Sequence, residues 1–319
     1  MTKVVGWAEI ERVLPGLDLL AAIESGFVAY SQGRATVPPV GELLFGRGEA
    51  HIKYGYIEGD ATFCVKVATG FYDNPAAGLP SSNGLMLLFD AATGVPVAVL
   101  LDEGRLTDIR TAVAGAIAAK WLAPKSVEAI GVIGTGTQAR LQVQQLKVVT
   151  ACRKLYVYGR KREAIERYCC AMKDEDFEII ACATPALVAA RANLIVTTTP
   201  ADAPLLRAED IRPGTHITAV GADTPEKNEI DASVFAKADR IVADSTAQCA
   251  TRGDVHHALA KGVIAQDRIV ELGAIIAGDA AGRQSDNEIT IADLTGVAVQ
   301  DITIAQAVVA ALATGRKAA

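Results

Sequence analysis

One segment constrains this chain more than any other. In EAIGVIGTGTQARLQVQQL a hydrophobic strand runs into Gly134-x-Gly136-x-x-Ala139 and then into an amphipathic helix. Gly134 permits a tight turn, Gly136 lets backbone approach a pyrophosphate, and the small Ala139 allows close helix–strand packing. Thr137 and Gln138 open the helix, whose first N–H groups and positive dipole end suit an anion. Around this segment the runs KLYVYG, FEIIAC, LIVTTT, HITAVG and RIVAD alternate for the most part with helix-like stretches. That rhythm predicts an α/β fold, a Rossmann-like doubly wound parallel sheet with helices on both faces.

In such sheets ligands sit outside the carboxyl ends of the strands. Thr197, Thr198 and Thr199 end one strand there, and Gly221-Ala222-Asp223 ends the next. Asp223 reads either as a site acid or as the cap of the turn before Pro225. An acid holding a ribose 2′-hydroxyl is expected at the end of the strand VYG, but Gly159 stands there and Arg160, Lys161 and Arg162 follow. A missing acid beside a guanidinium points towards a 2′-phosphate and hence NADP, while a solvated basic turn would accept NAD equally well.

The first hundred residues have another rhythm. Two helical stretches, about 7–13 and 16–32, precede Pro38-Pro39; then GELLF, HIKYGYI, TFCVKVATG, GLMLLFD and PVAVLLD follow without helices between them. Successive strands of this kind imply an antiparallel sheet. A helix at about 106–123 and an apolar helix in AVQDITIAQAVVAALATG complete an α+β domain. The expected division is 1–115 with 301–319 for that domain and 116–300 for the dinucleotide-binding one, and 319 residues suffice for two cores.

Composition removes several function classes. The net charge of −6 without a basic block argues against nucleic acid held through phosphates. No apolar run reaches the ~18–20 residues of a spanning helix. The start, MTKVVGWAEIERVLPG, carries acids early and lacks a signal-peptide core, so a cytoplasmic chain with buried, reduced thiols is expected. Six cysteines form no CxxC pair, and His256-His257 lacks metal spacing; no metal site is expected.

On the substrate side HIKYGYI alternates, so His51, Lys53 and Gly55 share one face; in TFCVKVATG Lys66 shares a face with Thr62 and Cys64. Paired strands would gather His51, Lys53 and Lys66 into a cationic patch; the plainer reading is one wet sheet face with scattered lysines. Arg110 lies among small apolar helix residues, where a guanidinium suits bidentate holding of a carboxylate.

LTDIRTAVAGAIAAKWLAPK, GVIGTGTQA and GTHITAVGADTPEKNEID, in this order and spacing, resemble the ornithine cyclodeaminase / mu-crystallin family along nearly the whole chain. The resemblance implies a Rossmann domain plus an α+β domain whose sheet forms a homodimer interface. It implies that Lys66 contacts the substrate carboxylate, Arg110 clamps it, Asp223 is the catalytic acid facing the substrate nitrogen, and Ser81 contacts the nicotinamide nucleotide. Two departures matter. A second carboxylate-binding arginine of ornithine cyclodeaminases aligns at about Glu42, with none nearer than Arg47. The acid that receives ornithine's distal amine aligns with Lys53. An ammonium there repels a diamino acid and welcomes a second carboxylate.

The expectation is therefore an NAD(P)H-dependent reductase of 2-imino acids, a dicarboxylate such as iminosuccinate yielding aspartate, with Lys53 and His51 on the distal carboxylate. The rivals are a reductase of cyclic ketimines such as pyrroline- or piperideine-2-carboxylate, an ornithine cyclodeaminase or alanine dehydrogenase, and a non-enzymatic binder of NADP and small ligands.

Overall fold

The computed structural model describes residues 2–71 and 73–315. It divides into two compact units, one of residues up to Arg110 and from Val297 onward, the other Thr111–Gly296. These cuts fall five and four residues earlier than the expected ones.

The first unit opens with β1 (Lys3–Gly6), α1 (Trp7–Val13), α2 (Leu19–Ser31) and the short β2 (Ala35–Thr36). A meander follows: β3 (Gly41–Phe45), β4 (Gly48–Ile57), β5 (Thr62–Gly70), β6 (Ser82–Asp90) and β7 (Pro96–Leu101), after which α3 (Arg105–Leu122) contains the boundary between units. The seven strands run β1-β7-β6-β5-β4-β2, with β3 also on β4. This sheet is mixed rather than purely antiparallel. β1, four residues that the sequence patterning did not single out, pairs parallel with β7.

In the second unit β8 (Ile130–Ile133), α4 (Thr137–Gln145), β9 (Lys154–Tyr158), α5 (Arg162–Ala171), β10 (Glu178–Ala181), α6 (Pro185–Arg191) and β11 (Leu194–Thr197) alternate as expected. Then come β12 (His216–Ala219), α7 (Ala232–Lys237), β13 (Arg240–Ala243), α8 (Thr246–Cys249), α9 (Gly253–Ala260), β14 (Ile269–Glu271), α10 (Leu272–Ala277) and β15 (Thr290–Asp293). All pairs of the eight-stranded sheet are parallel, in the order β10-β9-β8-β11-β12-β15-β13-β14. β8, β11, β12 and β15 are buried at every residue, the pattern of strands covered on both faces. Strand order reverses between β8 and β11, so the crevice at their carboxyl ends is the place such folds offer a ligand. β14 and β15 escaped the sequence reading because IVE and TIAD hold at most two apolar side chains in a row.

The chain then returns to the first unit as α11 (Ala298–Thr314), which packs on α2, β4 and β5. α11 covers the sheet face that bears Lys53 and Gly55: a Cβ on Gly55 would lie 3.3 Å from Ile302. The face that could have been the wet one is buried. No helix among the described residues is long and apolar enough to cross a membrane by itself.

Candidate active site

The crevice of the second unit is built on the glycine turn. Gly134 has φ +127°, a conformation L side chains rarely adopt, and a Cβ there would meet Thr198 Oγ1 at 2.2 Å. Gly136 is the N-cap of α4, its Cβ position opening on space, and no side chain caps the helix. Ala139 is fully buried. A cavity of about 480 Å³ runs along Gly134–Gly136, Tyr158–Arg160 and Thr198–Ala203. A second cavity, about 430 Å³, shares Thr135 and Gly136 and is lined also by Thr137, Arg140, Arg167 and Tyr168. Of the expected cofactor residues, Gly134, Gly136, Arg160, Thr198 and Thr199 line the first cavity and Thr137 the second. The amide of Gln138 instead turns along α4, where Gln142 Nε2 donates to its Oε1 at 3.4 Å.

Thr197 does not line the crevice. It is buried, and its hydroxyl donates to Glu229 Oε2 at 2.8 Å. Glu229 also accepts from the Thr199 N–H (2.6 Å) and hydroxyl (2.8 Å) on Oε1, and from the Gly221 N–H (2.8 Å) on Oε2. Burial and the neighbouring Asp254 push this carboxyl up to about 8. Asp223, two residues past Gly221, forms an ion pair with Lys227 at 2.6 Å and is about one-third exposed. Its carbonyl accepts from Arg252 at 3.2 Å. His256 and His257 hold the carbonyls of Ala250 (2.9 Å) and Lys227 (3.0 Å), a structural role.

In the first unit Lys53 and Lys66 stand directly opposite each other on β4 and β5. Neither faces water: they are 7% and 2% exposed, and Arg110 is 5% exposed. The element that buries them brings the counter-charge. Asp301 of α11 lies 3.2 Å from Lys66 Nζ through Oδ2 and accepts from Arg110 Nε at 2.9 Å through Oδ1. The adjacent Gln300 accepts from Arg110 Nη1 at 2.9 Å. Burial works to raise the Asp301 carboxyl, but Arg110 and Lys66 prevail and hold it below the usual range. Burial lowers the Lys66 ammonium. Two side chains fix the guanidinium plane, which bidentate recognition of a carboxylate requires.

His51 does not join this cluster. It is opposite Glu42 in the β3–β4 register, and its Nε2 meets Glu42 Oε1 at 2.8 Å. Where the second arginine of ornithine cyclodeaminases aligns, this chain has an acid that occupies His51. Ser81 is half-buried, its carbonyl accepting from the Phe71 N–H at 2.7 Å; Ser82, with His51, Asn83 and Asp108, lines a cavity of about 120 Å³. Among the described residues no group of three or more His, Cys, Asp or Glu side chains is placed to hold a metal ion. Cys64, Cys182 and Cys249 are buried, Cys152 and Cys169 are partly so, and Cys170 is exposed.

Two buried acids of these clusters escaped the sequence reading, Asp301 and Glu229. Asp301 had a signal: it is the one acid in the apolar run AVQDITIAQAVVAALA, where a carboxylate with no partner would not be buried. Glu229, in PEKNEID among other charges, had none.

A glycine-turn crevice on one unit and a buried cationic cluster on the other define a Rossmann-type protein with a second, α+β unit. The chain belongs to the ornithine cyclodeaminase/mu-crystallin family, whose model matches residues 2–315. It is 42% identical over 309 residues to an uncharacterized cyclodeaminase of Sinorhizobium fredii, covering 95% of this chain and 93% of that one. An archaeal alanine dehydrogenase dimer with bound NAD superposes with TM-score 0.89 at 34% identity, covering 99% and 98% of the two chains. The iminosuccinate reductase of Paracoccus denitrificans in complex with NAD+ gives 0.88 at 34% identity, covering 98% and 97%.

Proposed function

We propose that the protein is a nicotinamide-dinucleotide-dependent oxidoreductase that reduces the C=N bond of 2-imino acids, with a dicarboxylate such as iminosuccinate preferred and aspartate the product. The observation that carries this reading is the charge of the buried cluster. Lys53, Lys66 and Arg110 stand against one ionised carboxylate, Asp301. Burial raises the carboxyl of the neighbouring Asp102 as it lowers the Lys66 ammonium. Three cationic side chains gathered around a buried acid suit a ligand that carries carboxylates, and a dicarboxylate offers two. The relatives with bound NAD, an iminosuccinate reductase and an alanine dehydrogenase, fit the same chemistry.

The residues of the glycine turn and of the loops after β9 and β11 fit the cofactor, because Gly134 makes the tight turn against Thr198 and Gly136 leaves open space beside uncapped helix N–H groups. When bound, the nicotinamide supplies the hydride. Arg110 and Lys66 bind the 1-carboxylate and so orient the imine carbon, and positioning of this kind lowers a bimolecular barrier substantially. The Asp223 carboxylate stabilises the protonated imine nitrogen, since an iminium accepts hydride far better than a neutral imine. Lys53 holds the distal carboxylate. Pairing of His51 with Glu42 favours the second reading, a substrate with a single carboxylate such as the imine of pyruvate or pyrroline-2-carboxylate.

The test is oxidation of NADH and NADPH with oxaloacetate plus ammonia, pyruvate plus ammonia, and pyrroline-2-carboxylate. The dicarboxylate system is expected to be fastest, and Lys53→Glu to reduce its kcat/KM by at least about tenfold, ~1.4 kcal/mol. Preference for pyrroline-2-carboxylate, indifferent to Lys53, transfers the assignment to the cyclic-imine reading.

Arg160 lines the dinucleotide cavity, and Arg140 and Arg167 line its neighbour, whose lining carries no acid. These favour NADPH over NADH. Arg160→Glu is expected to raise the KM for NADPH several-fold and leave that for NADH nearly unchanged; equal effects on both would count against a 2′-phosphate contact. We assign the chain to a homodimer through the first sheet, where Leu43, Leu44, Phe45, Val4 and Leu101 are exposed.

A further inference from the structure

We infer that Glu229 is a positioning residue that clamps two loops at the carboxyl end of the sheet, one lining the dinucleotide cavity and one carrying Asp223. This rests on the oxidoreductase reading above. Glu229 is fully buried, and none of the cofactor or substrate roles proposed above uses it.

The four hydrogen bonds divide the labour between the two oxygens. Oε1 takes the N–H and hydroxyl of Thr199, in the loop after β11. Oε2 takes the hydroxyl of Thr197 at the end of β11 and the N–H of Gly221 in the loop after β12. One carboxylate thus bridges the ends of neighbouring parallel strands, next to the backbone bond from the Val220 N–H to the Thr197 carbonyl at 3.0 Å. The loops approach so closely that a Cβ on Gly221 would lie 2.3 Å from Thr199 N and 2.6 Å from Glu229 Oε2. Thr198, between the two clamped threonines, donates its N–H to the Ile133 carbonyl at 2.9 Å and packs on Gly134. Through Thr198 the clamp sets the wall of the phosphate-binding turn, and through Gly221 it sets the loop of Asp223.

Glu229 is itself held from behind. Asp254 Oδ1 accepts from the N–H of Glu229 at 2.7 Å, from that of Ile230 at 2.9 Å and from Asn228 Nδ2 at 2.9 Å. The side chain therefore reaches the loops from a fixed base.

The chemistry needs a carboxyl. Each oxygen faces one backbone N–H, which cannot reverse, and one hydroxyl, which can. A carboxyl group, charged or carrying a proton that a threonine hydroxyl accepts, presents a lone pair to both N–H groups. An amide does not: in Glu229→Gln the NH2 must face either Thr199 or Gly221, donor against donor, and a buried unsatisfied donor is costly.

The experiment compares wild type, Glu229→Gln and Thr197→Val for dinucleotide binding and steady-state kinetics, with NADH and NADPH and the best substrate found above. Thr197 lies outside the cavity lining, and valine keeps its shape while removing one of the four bonds. Expected are a rise in dinucleotide Kd and KM of roughly tenfold or more for Glu229→Gln and roughly threefold for Thr197→Val. The KM for the imino acid stays within about twofold. A purely structural role would reduce the active fraction and apparent kcat without moving the dinucleotide KM. That outcome, or unchanged binding in both variants, overturns the clamp. If Glu229→Gln does not fold, Thr197→Val alone decides by the same criterion. If wild type binds neither dinucleotide, the oxidoreductase reading falls and the clamp falls with it, so the two failures are distinguishable.

Discussion

Asp301→Ala is expected to lower folding stability by about 3–5 kcal/mol and to abolish imine reduction. The magnitude follows from what is left behind. Asp301 is 1% exposed and meets both Lys66 and Arg110, with Lys53 also in its field. Removing one member of a buried ion pair strands its partners as uncompensated charges in a poorly solvating interior. Here two cations lose a direct contact and Arg110 keeps only Gln300 from the pair that holds it. The double variant Lys66→Met/Asp301→Leu, which removes a charge of each sign, is expected to recover a large part of the stability but none of the activity. Urea unfolding of the three proteins checks this. A loss below about 1 kcal/mol for Asp301→Ala would show that the cluster is solvated and would remove the buried cationic cluster behind the dicarboxylate proposal.

The parts of the fold legible in the sequence were those with a local signature. The glycine turn is legible because Gly134 must adopt a positive φ and Gly136 must leave space, so residue type and conformation coincide. The alternation of β8 to β13 with helices is legible because fully buried parallel strands are continuous apolar runs. β1, β14 and β15 were not: KVVG, IVE and TIAD hold at most two apolar side chains in a row, against three in EIIA, LIVT and RIVA. β15 takes its place between β12 and β13 from pairing on both sides, a property of the sheet rather than of TIAD.

The site divides in the same way. Lys53 and Lys66 share a face by strand periodicity alone, but whether that face meets water or a helix is fixed by α11, more than two hundred residues later in the chain. That distance is why the lysine face could be placed and its burial could not. Nothing between HIKYGYI and its neighbours announces that His51 turns to Glu42; the pair follows from the β3–β4 register. Thr197, Thr198 and Thr199 were placed together at a strand end. Alternation along the chain then sends the hydroxyls of Thr197 and Thr199 to Glu229 and turns that of Thr198 towards Gly134.

Folding stability is expected to fall by on the order of 1–2 kcal/mol between pH 6.5 and pH 8. Glu229 is pushed up to about 8 by burial and Asp254, and Asp293 is raised well above its ordinary value by burial and Asp254. Unfolded, both ionise near 4, so with Glu229 at about 8 the folded chain holds a proton over much of this interval that the unfolded chain has released, and the raised Asp293 acts in the same sense. A raised carboxyl stabilises fully below its unfolded pKa, and that contribution is lost as pH rises through the folded value. His216 acts in the opposite sense. Buried between Thr290 and Thr218 hydroxyls at 2.8 and 2.9 Å, it is lowered to about 3 by burial and Arg283. Its contribution is present above 6.5 and disappears as pH falls towards 3, so it is nearly constant in the alkaline interval and opposes the carboxyls only below it. Denaturant unfolding at pH 6.5, 7.2 and 8 gives the slope, and Asp293→Asn, which fixes the neutral state, is expected to make it shallower. A wild-type stability that is flat or rises over the interval would mean that Glu229 and Asp293 are already ionised at pH 6.5, with the four bonds to Glu229 outweighing the burial that opposes them.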